Sequence, residues 1–237
     1  MKLSIVIPCY NEASTIEQVL IAVRATKYEK EVIVVDDCST DQTQHLLKNE
    51  LAGLVDIYIR HQNNLGKGAA LKSGFKSATG DLVLIQDSDL EYDPNDYPLL
   101  VEPFIHGRAD AVYGSRYIGS RPHRALGFRQ HVANNFLTFL CNLCNEINLT
   151  DMETGYKVFR RQVIQQIELH EKGFGFEPEV TAKLARMGAR IIEVGISFYG
   201  RTYEEGKKIK IQDGLHAIWC ILKYSFFAPS PAKLTKT

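Results

Sequence analysis

Three short, nearly unbroken apolar runs limit what this chain can become more than any other feature of its sequence. They are residues 3–7, 31–35 and 81–86, the second reading Glu31-Val32-Ile33-Val34-Val35 and the third Asp81-Leu82-Val83-Leu84-Ile85-Gln86. A strand that alternates polar and apolar can leave one face in water, but one that is apolar at successive positions has to be covered on both. Each run is followed by a polar cluster and then by helical spacing. Residues 13–24 carry Ile16, Val19, Leu20 and Val23, with Ser14 or Thr15 placed to cap them, and residues 43–49 and 68–78 read the same way. Such alternation predicts an α/β fold with a mostly parallel central sheet and helices on both faces.

A further strand is expected over residues 56–60. The second half is less regular: helices are predicted over 95–107, 130–145 and 177–187, and strands over 111–114 and 190–197. An apolar, aromatic helix over 212–227 precedes a loose tail over 228–237 that contains Pro229 and Pro231. No repeat or Gly/Pro/Ser-rich linker divides the 237 residues, so one domain over 1–211 is expected, with the C-terminal helix and tail over 212–237. Lys and Arg number 28 against 28 Asp and Glu, which lacks the basic signature of a nucleic-acid binder. No segment reaches the roughly 18 apolar residues of a transmembrane helix, and residues 1–8 are too short for a secretory signal. Five cysteines without such a signal suggest reduced thiols and a cytoplasmic protein. Cys141 and Cys144 form a C-x-x-C within an apolar helical pattern, which favours buried thiols over a redox or metal role.

In an open parallel sheet, ligands bind where the strands end. The polar clusters after the strands are therefore the first candidates: Pro8 to Glu12, Asp36-Asp37, residues 63–67, and Asp87-Ser88-Asp89. Residues 81–96 hold six carboxylates and no basic residue, with Asp87, Asp89 and Glu91 spaced two apart. In extended backbone that spacing aims side chains the same way, and like charges held so close favour a bound cation. Mg²⁺ or Mn²⁺ suits hard oxygen ligands completed by phosphate oxygens, with an acidic surface loop as the alternative. Asp93 and Asp96 flank Pro94 and are expected to cap the next helix.

Taken in order, several segments resemble one family. They are Val6-Ile7-Pro8-Cys9-Tyr10-Asn11-Glu12, Val34-Val35-Asp36-Asp37-Cys38-Ser39-Thr40-Asp41, Asn64-Leu65-Gly66-Lys67-Gly68, Gly80-Asp81, and Asp87-Ser88-Asp89. Later segments agree: Gly114-Ser115-Arg116-Tyr117, Thr150 to Lys157, Phe176-Glu177, and Tyr199-Gly200-Arg201 with Lys207-Lys208. From about residue 3 to about residue 210 the chain resembles family 2 glycosyltransferases with the GT-A fold. Within them it looks most like the dolichyl- or polyprenyl-phosphate sugar synthases, such as dolichol-phosphate mannosyltransferases. The resemblance implies an inverting, metal-dependent transfer of a hexose from GDP-mannose or UDP-glucose to a polyprenyl or dolichyl phosphate at the cytoplasmic face of a membrane. It assigns nucleotide-sugar binding to Pro8, Tyr10, Asn11, Glu12, Val35, Asp37, Lys67, Asp87 and Ser88, with Asp37 accepting from the base. Asp36 and Asp37, being adjacent, point opposite ways, so one is free to cap a helix. Catalysis falls to Asp89 and Arg201, and Mg²⁺ or Mn²⁺ to Asp87, Asp89 and Glu91, where Glu91 replaces a frequent Gln.

Arginines and lysines then bear on the acceptor. Arg116, Arg121, Arg124 and Arg129, with His123 and His131, lie in an acid-free loop, and Arg201, Lys207, Lys208 and Lys210 form a second group partly offset by Glu204 and Glu205. The resemblance implies that Arg116, Arg129 and Lys207 hold the acceptor phosphate, and the guanidinium fork of the two arginines matches phosphate oxygens. A lipid phosphate is already an anionic nucleophile and needs no general base. For a hydroxyl acceptor, Asp151 or Glu153 would be candidates, unless they anchor Lys157 or Arg160. The helix over 212–227 either lies in a bilayer interface or packs on the domain. A homo-oligomer or a membrane-protein partner remains open. No Q-x-x-R-W, P-loop or G-x-G-x-x-G sequence occurs, which disfavours processive synthases, triphosphatases and dinucleotide dehydrogenases. A sugar-nucleotide pyrophosphorylase would need glycines after the first strand, and a non-catalytic binding protein would leave Asp87, Asp89 and Arg201 without a reason to coexist.

Overall fold

A computed structural model describes residues 1–119, 122, 124, 127–201, 211–229 and 232–234. Strands and helices come in this order: β1 (Leu3–Cys9), α1 (Ile16–Ala25), β2 (Lys30–Asp36), α2 (Thr43–His45), β3 (Ile57–Arg60), α3 (Lys67–Ser77), β4 (Leu82–Ile85), α4 (Tyr97–Ile105), β5 (Ala111–Ser115), α5 (Phe128–Asn145), β6 (Lys157–Arg160), α6 (Arg161–Ile164), α7 (Phe176–Met187), β7 (Ile191–Gly195) and α8 (Ile211–Leu222). Among the described residues they build one seven-stranded sheet, ordered β3-β2-β1-β4-β6-β5-β7. Five strands share the direction of β1 through parallel pairs or the β6 connection, as the apolar runs predict. Only β6 runs against its neighbours, antiparallel to both β4 and β5.

The two faces of the sheet take alternate residues of each strand. Val6, Ile33 and Val35 join Leu71 and Phe75 of α3, Leu137 of α5 and Val180 of α7 in one core. Ile5, Ile7, Val32 and Val34 join Leu20 of α1 and Leu100 and Phe104 of α4 in the other. Continuous hydrophobicity in the strands thus reports a sheet dry on both sides.

Several local expectations need correction. β6 and the single turn of α6 have no apolar run to announce them, since Lys157-Val158-Phe159-Arg160 is charged at both ends. Lys157 is nonetheless fully buried, its ammonium donating to the carbonyls of Met152 (2.9 Å) and Thr154. The helix after β2 continues from α2 as a wider π turn over Leu46–Glu50. Neither Ser14 nor Thr15 caps α1 by its side chain; the Thr15 hydroxyl donates to the Ser88 carbonyl at 2.7 Å. Asp93 does cap, accepting from Asn95 N at 2.9 Å, whereas Asp96 accepts from Ser197 N at 2.6 Å and ties the chain after β7 to α4. The tail is anchored where it is described, Leu234 N donating to Met187 O at 3.1 Å.

The C-terminal helix packs on the domain, the second of the two expectations for it. α8 and the π turn after it (Lys223–Phe227) bury Ala217, Cys220, Ile221 and Tyr224 against α5 and α7. Their opposite side leaves Leu215, Trp219, Phe226 and Phe227 exposed. No helix among the described residues is long and apolar enough to cross a membrane. All five cysteines are free thiols, with Cys141 fully buried on α5 and Cys144 half-buried.

At the edge where β2 begins, the Glu31 carboxylate accepts from Thr79 N (2.6 Å), Thr79 Oγ1 (2.7 Å), Lys2 Nζ (3.0 Å), Gly80 N (3.1 Å) and the Ser4 hydroxyl. Burial by itself would raise its pKa, but these donors outweigh burial and hold it at about 2. A depressed carboxyl contributes stability above its unfolded value, and that stability is lost as pH falls toward 2. Glu31→Gln is therefore expected to lower unfolding free energy by about 2 kcal/mol at pH 7. Denaturant titrations of the two proteins should converge as pH drops from 5 to 2.5.

Candidate active site

The site arises from strand register. β1 pairs with β2 with Cys9 opposite Asp36, and with β4 with Val6 opposite Ile85, so residues 10–12, 37–41 and 86–91 leave the sheet at one edge. Because β6 runs the other way, residues 151–156 enter at that same edge. Asn11 (φ 53°), Cys38 (φ 65°) and Leu90 (φ 63°) adopt left-handed backbone there, which costs each a kcal/mol or so and is typical of functional loops.

The first two loops lock together. Asn11 N donates to Ser39 Oγ (3.0 Å), Asn11 Oδ1 accepts from Thr40 N (2.8 Å), and Glu12 N donates to Thr43 Oγ1 (3.0 Å). The two adjacent aspartates do point apart, and neither caps a helix. Asp36, fully buried, accepts from Ser39 N (2.8 Å) and the Tyr58 hydroxyl (3.0 Å), with Arg60 Nε at 3.3 Å. Asp37 accepts from Leu65 N (2.9 Å) and Gly66 N (2.6 Å), and its Oδ1 lies 2.6 Å from His61 Nδ1, whose other nitrogen meets Ser73 Oγ at 2.9 Å. The carboxylate expected at the base thus also fixes the loop before α3. His61 carries no sequence signal beyond its place after β3. Tyr10 sits half-buried at the mouth, and Pro8 O accepts from the Ser88 hydroxyl at 3.0 Å. Val35 is corrected: its side chain is fully buried in the α3 core and offers a ligand nothing.

Two ion-pair systems meet beyond this wall. Lys67, the first residue of α3, places its ammonium 3.0 Å from Asp87 Oδ1 and 3.2 Å from Glu177 Oε1. Burial would lower its pKa, but the two carboxylates outweigh that and keep it charged. Arg201 stands 2.9 Å from Asp89 Oδ2, 3.4 Å from Glu12 Oε2 and 3.7 Å from Glu91 Oε1, which also accepts from Arg201 N at 2.7 Å. Asp87, Asp89 and Glu91 consequently do not gather as a ready trio: Asp87 faces Lys67, while Asp89 and Glu91 face Arg201. Burial, Asp87 and Glu91 push Asp89 up to about 7 despite Arg201. The Glu177 Oε2 and Arg201 Nε atoms are buried without a hydrogen-bond partner. Among the described residues, five carboxylates (Glu12, Asp87, Asp89, Glu91, Glu177) gather at this sheet edge with Lys67 and Arg201 between them. Clustered hard oxygen donors of this kind fit a divalent cation, which Asp87 and Asp89 would hold.

Gly155 explains how Asp87 reaches this place. A Cβ there would stand 2.2 Å from Asp87 Oδ2 and 2.9 Å from the Tyr92 ring, and Gly155 N donates to the Tyr92 hydroxyl at 2.7 Å. Tyr92 stacks on Tyr156 at 4.6 Å, and Tyr199 N donates to Glu91 O at 2.9 Å, which brings Arg201 alongside.

The acceptor-side arginines divide. Arg116 is corrected: it is half-buried and already paired, donating through Nε to Asp151 Oδ2 (2.6 Å) and through Nη2 to Asp151 Oδ1 (2.7 Å) and Asn134 Oδ1 (3.1 Å). It holds the end of β5 to residue 151 and is not presented to a phosphate; Asp151 in turn anchors Arg116 rather than Lys157 or Arg160. Glu153 is pushed up to about 8 by burial and by Glu177, and its Oε1 is buried and unpartnered. Arg129 is exposed in the first turn of α5, and Arg124 donates to Gly200 O at 3.1 Å. Lys207, Lys208, Lys210, Glu204, Glu205, Arg121 and His123 lie outside the described residues.

Residues 4–168 match the model of the family described as glycosyl transferase family 2. The chain belongs to glycosyltransferase family 2. Among relatives of this family 2 enzyme, the undecaprenyl-phosphate mannosyltransferase of Micrococcus luteus is 29% identical over 87% of each chain. The dolichol-phosphate mannosyltransferase of Pyrococcus furiosus is also 29% identical, over 87% of this chain and 59% of its own length. The dodecaprenyl-phosphate galacturonate synthase of Rhizobium johnstonii is 28% identical over 96% of this chain and 67% of its own. The glucosyl-3-phosphoglycerate synthase of Mycobacterium tuberculosis shares the GT-A fold: TM-score 0.73 at 22% identity, over 97% of this chain and 81% of that one. It has been crystallised with Mn²⁺, uridine diphosphate and glucosyl-3-phosphoglycerate, and with Mg²⁺ and uridine diphosphate.

Proposed function

We propose that this glycosyltransferase moves a hexose from a nucleoside diphosphate sugar to a polyprenyl phosphate, with inversion at the anomeric carbon and with Mg²⁺ or Mn²⁺ held by Asp87 and Asp89. The observation that carries the reading is the convergence of Asp87, Asp89, Glu91 and Glu177 with Lys67 and Arg201 at the sheet edge, where Asp89 is pushed up to about 7. When bound, the dication supplies Lewis-acid stabilisation of the charge growing on the departing diphosphate. The chain's own residues do the remainder. Asp37 and His61 fix the Leu65–Gly66 backbone as one wall of the nucleotide pocket. Lys67, kept charged by Asp87 and Glu177, sets the direction of Asp87. Arg201 orients Asp89 and Glu91 and has a buried N–H available for a phosphate oxygen.

A phosphate acceptor agrees with the state of Asp151 and Glu153, the two carboxylates expected to serve a hydroxyl acceptor. Asp151 is consumed by Arg116, and Glu153 is held protonated at neutral pH with its carboxyl turned inward. A lipid phosphate arrives ionised and needs placement only, so neither residue has to deprotonate it. Transfer of labelled hexose to polyprenyl phosphate should appear with one of GDP-mannose or UDP-glucose, and should vanish in excess chelator and return with Mn²⁺. Product formed equally well on a glycan hydroxyl without lipid phosphate would overturn the acceptor, and full turnover in chelator would overturn the metal.

The lipid acceptor gives the exposed apolar surface a reason. α5 shows Phe128, Val132, Phe136, Phe139 and Leu143 to solvent, beside the uncovered side of α8 packed against it. On this exposed face of α5, Arg129 stands among Phe128, Val132, Ala133 and Phe136, a cation suited to a lipid phosphate at a bilayer surface. On this reading the enzyme is a peripheral protein of the cytoplasmic membrane face. Phe128→Ser with Phe227→Ser, both at least 78% exposed, should leave the melting temperature unchanged. Each loss is expected to reduce co-sedimentation with anionic vesicles by roughly tenfold.

A further inference from the structure

Outside the pocket, the only described group in which three His, Cys, Asp or Glu side chains converge is Glu171, His216 and Cys220, whose ligand atoms lie within 4.8 Å of one another. His216 and Cys220 are one turn apart on α8, so they share a face. His216 Nε2 is 2.9 Å from Glu171 Oε2 and 3.4 Å from Cys220 Sγ. Around a tetrahedral zinc with bonds of about 2.0 to 2.3 Å, ligand atoms stand roughly 3.3 to 3.6 Å apart, so both contacts of His216 need only a few tenths of an ångström of adjustment.

The surroundings suit a metal as well. Glu171 presents Oε2 to the trio, while its Oε1 accepts from Tyr224 OH (2.6 Å) and Lys223 Nζ (2.9 Å), an arrangement that fixes the carboxylate as outer partners fix metal ligands. Gly175 leaves the space: a Cβ there would meet Cys220 Sγ at 2.8 Å and Glu171 Oε2 at 3.1 Å. His216 is half exposed, which opens a path and a fourth position to solvent. A catalytic Cys-His-Glu triad is a poorer reading, since Cys220 is fully buried and no attacked carbonyl could reach its sulfur.

We propose that Glu171, His216 and Cys220 bind a thiophilic divalent cation of the zinc type. Binding replaces the thiol proton, which leaves to solvent, and the fourth position takes water. The consequence is mechanical. Residues 171–173 lie directly on the start of α3, with Ala69 N donating to Lys172 O at 3.0 Å. The cation would staple α8, the helix with the exposed apolar side, to the loop that supports Lys67.

Cobalt tests this in the intact, chelator-treated chain, because a thiolate bound to Co²⁺ gives a near-ultraviolet charge-transfer band that carboxylates do not. One equivalent of Co²⁺ should produce the band in wild-type and Asp89→Asn protein alike. It should be absent in Cys220→Ser and require at least tenfold more metal in His216→Ala, and Zn²⁺ should bleach it and raise the melting temperature by several degrees. Should Cys220→Ser fail to fold, the half-exposed His216→Ala still reports. No band in wild-type protein, or a band unchanged in His216→Ala, overturns the site. Neither result touches the sugar-transfer reading, whose own metal is scored by activity in Asp89→Asn.

Discussion

Asp89→Asn is expected to abolish sugar transfer, lowering kcat by about a thousandfold or more, while the protein folds as before. The substitution removes the charge that a dication needs yet keeps the shape that Arg201 leans on. Asp89 is pressed by burial and by Asp87 and Glu91, so relieving that pressure should leave the melting temperature equal or higher. Turnover with saturating Mn²⁺ and labelled donor, read beside circular dichroism, makes the check. Retained activity in a well-folded variant would remove Asp89 from the mechanism.

Gly66→Ala should have the largest effect on stability. Gly66 sits at φ 96°, where only glycine is unstrained, and a Cβ would stand 2.5 Å from the Lys172 carbonyl oxygen, which is backbone and cannot swing away. Strain and collision together are expected to cost about 3 kcal/mol. For a chain of this size that lowers the melting temperature by roughly 6 to 12 °C. Because Gly66 N also donates to Asp37 and Lys67 comes next in the chain, nucleotide affinity should fall even at temperatures where the variant is folded. A variant with native melting and native nucleotide binding would show that the loop can relax in a way the contacts do not suggest.

Features that repeat at short range are the legible ones. Val32 to Val35 and Leu82 to Ile85 announce dry strands. Asp36-Asp37 and Asp87-Ser88-Asp89 mark where those strands stop, and a parallel sheet puts all such ends at one edge. Arg116 misleads because its partner is 35 residues away, and nothing near an arginine says whether it will be consumed by a carboxylate or left for a ligand. Val35 misleads for a simpler reason: it is next to the edge in the chain, but the pleat turns its side chain into the α3 core. His61 and Lys157 are silent, the first a lone histidine after a strand, the second a charge that reads as surface and is paired with carbonyls inside.

The reversed direction of β6 bears on how the molecule comes together. β1, β2, β3 and β4 pair among the first 85 residues, each strand laid alongside another from the same stretch of chain. β6 lies between β4 and β5, and the same approach sets Gly155 against Asp87, 68 positions earlier in the chain. Contacts closed over such spans form slowly. A refolding chain is therefore expected to regain activity later than secondary structure, which stopped-flow circular dichroism read beside recovery of turnover would check.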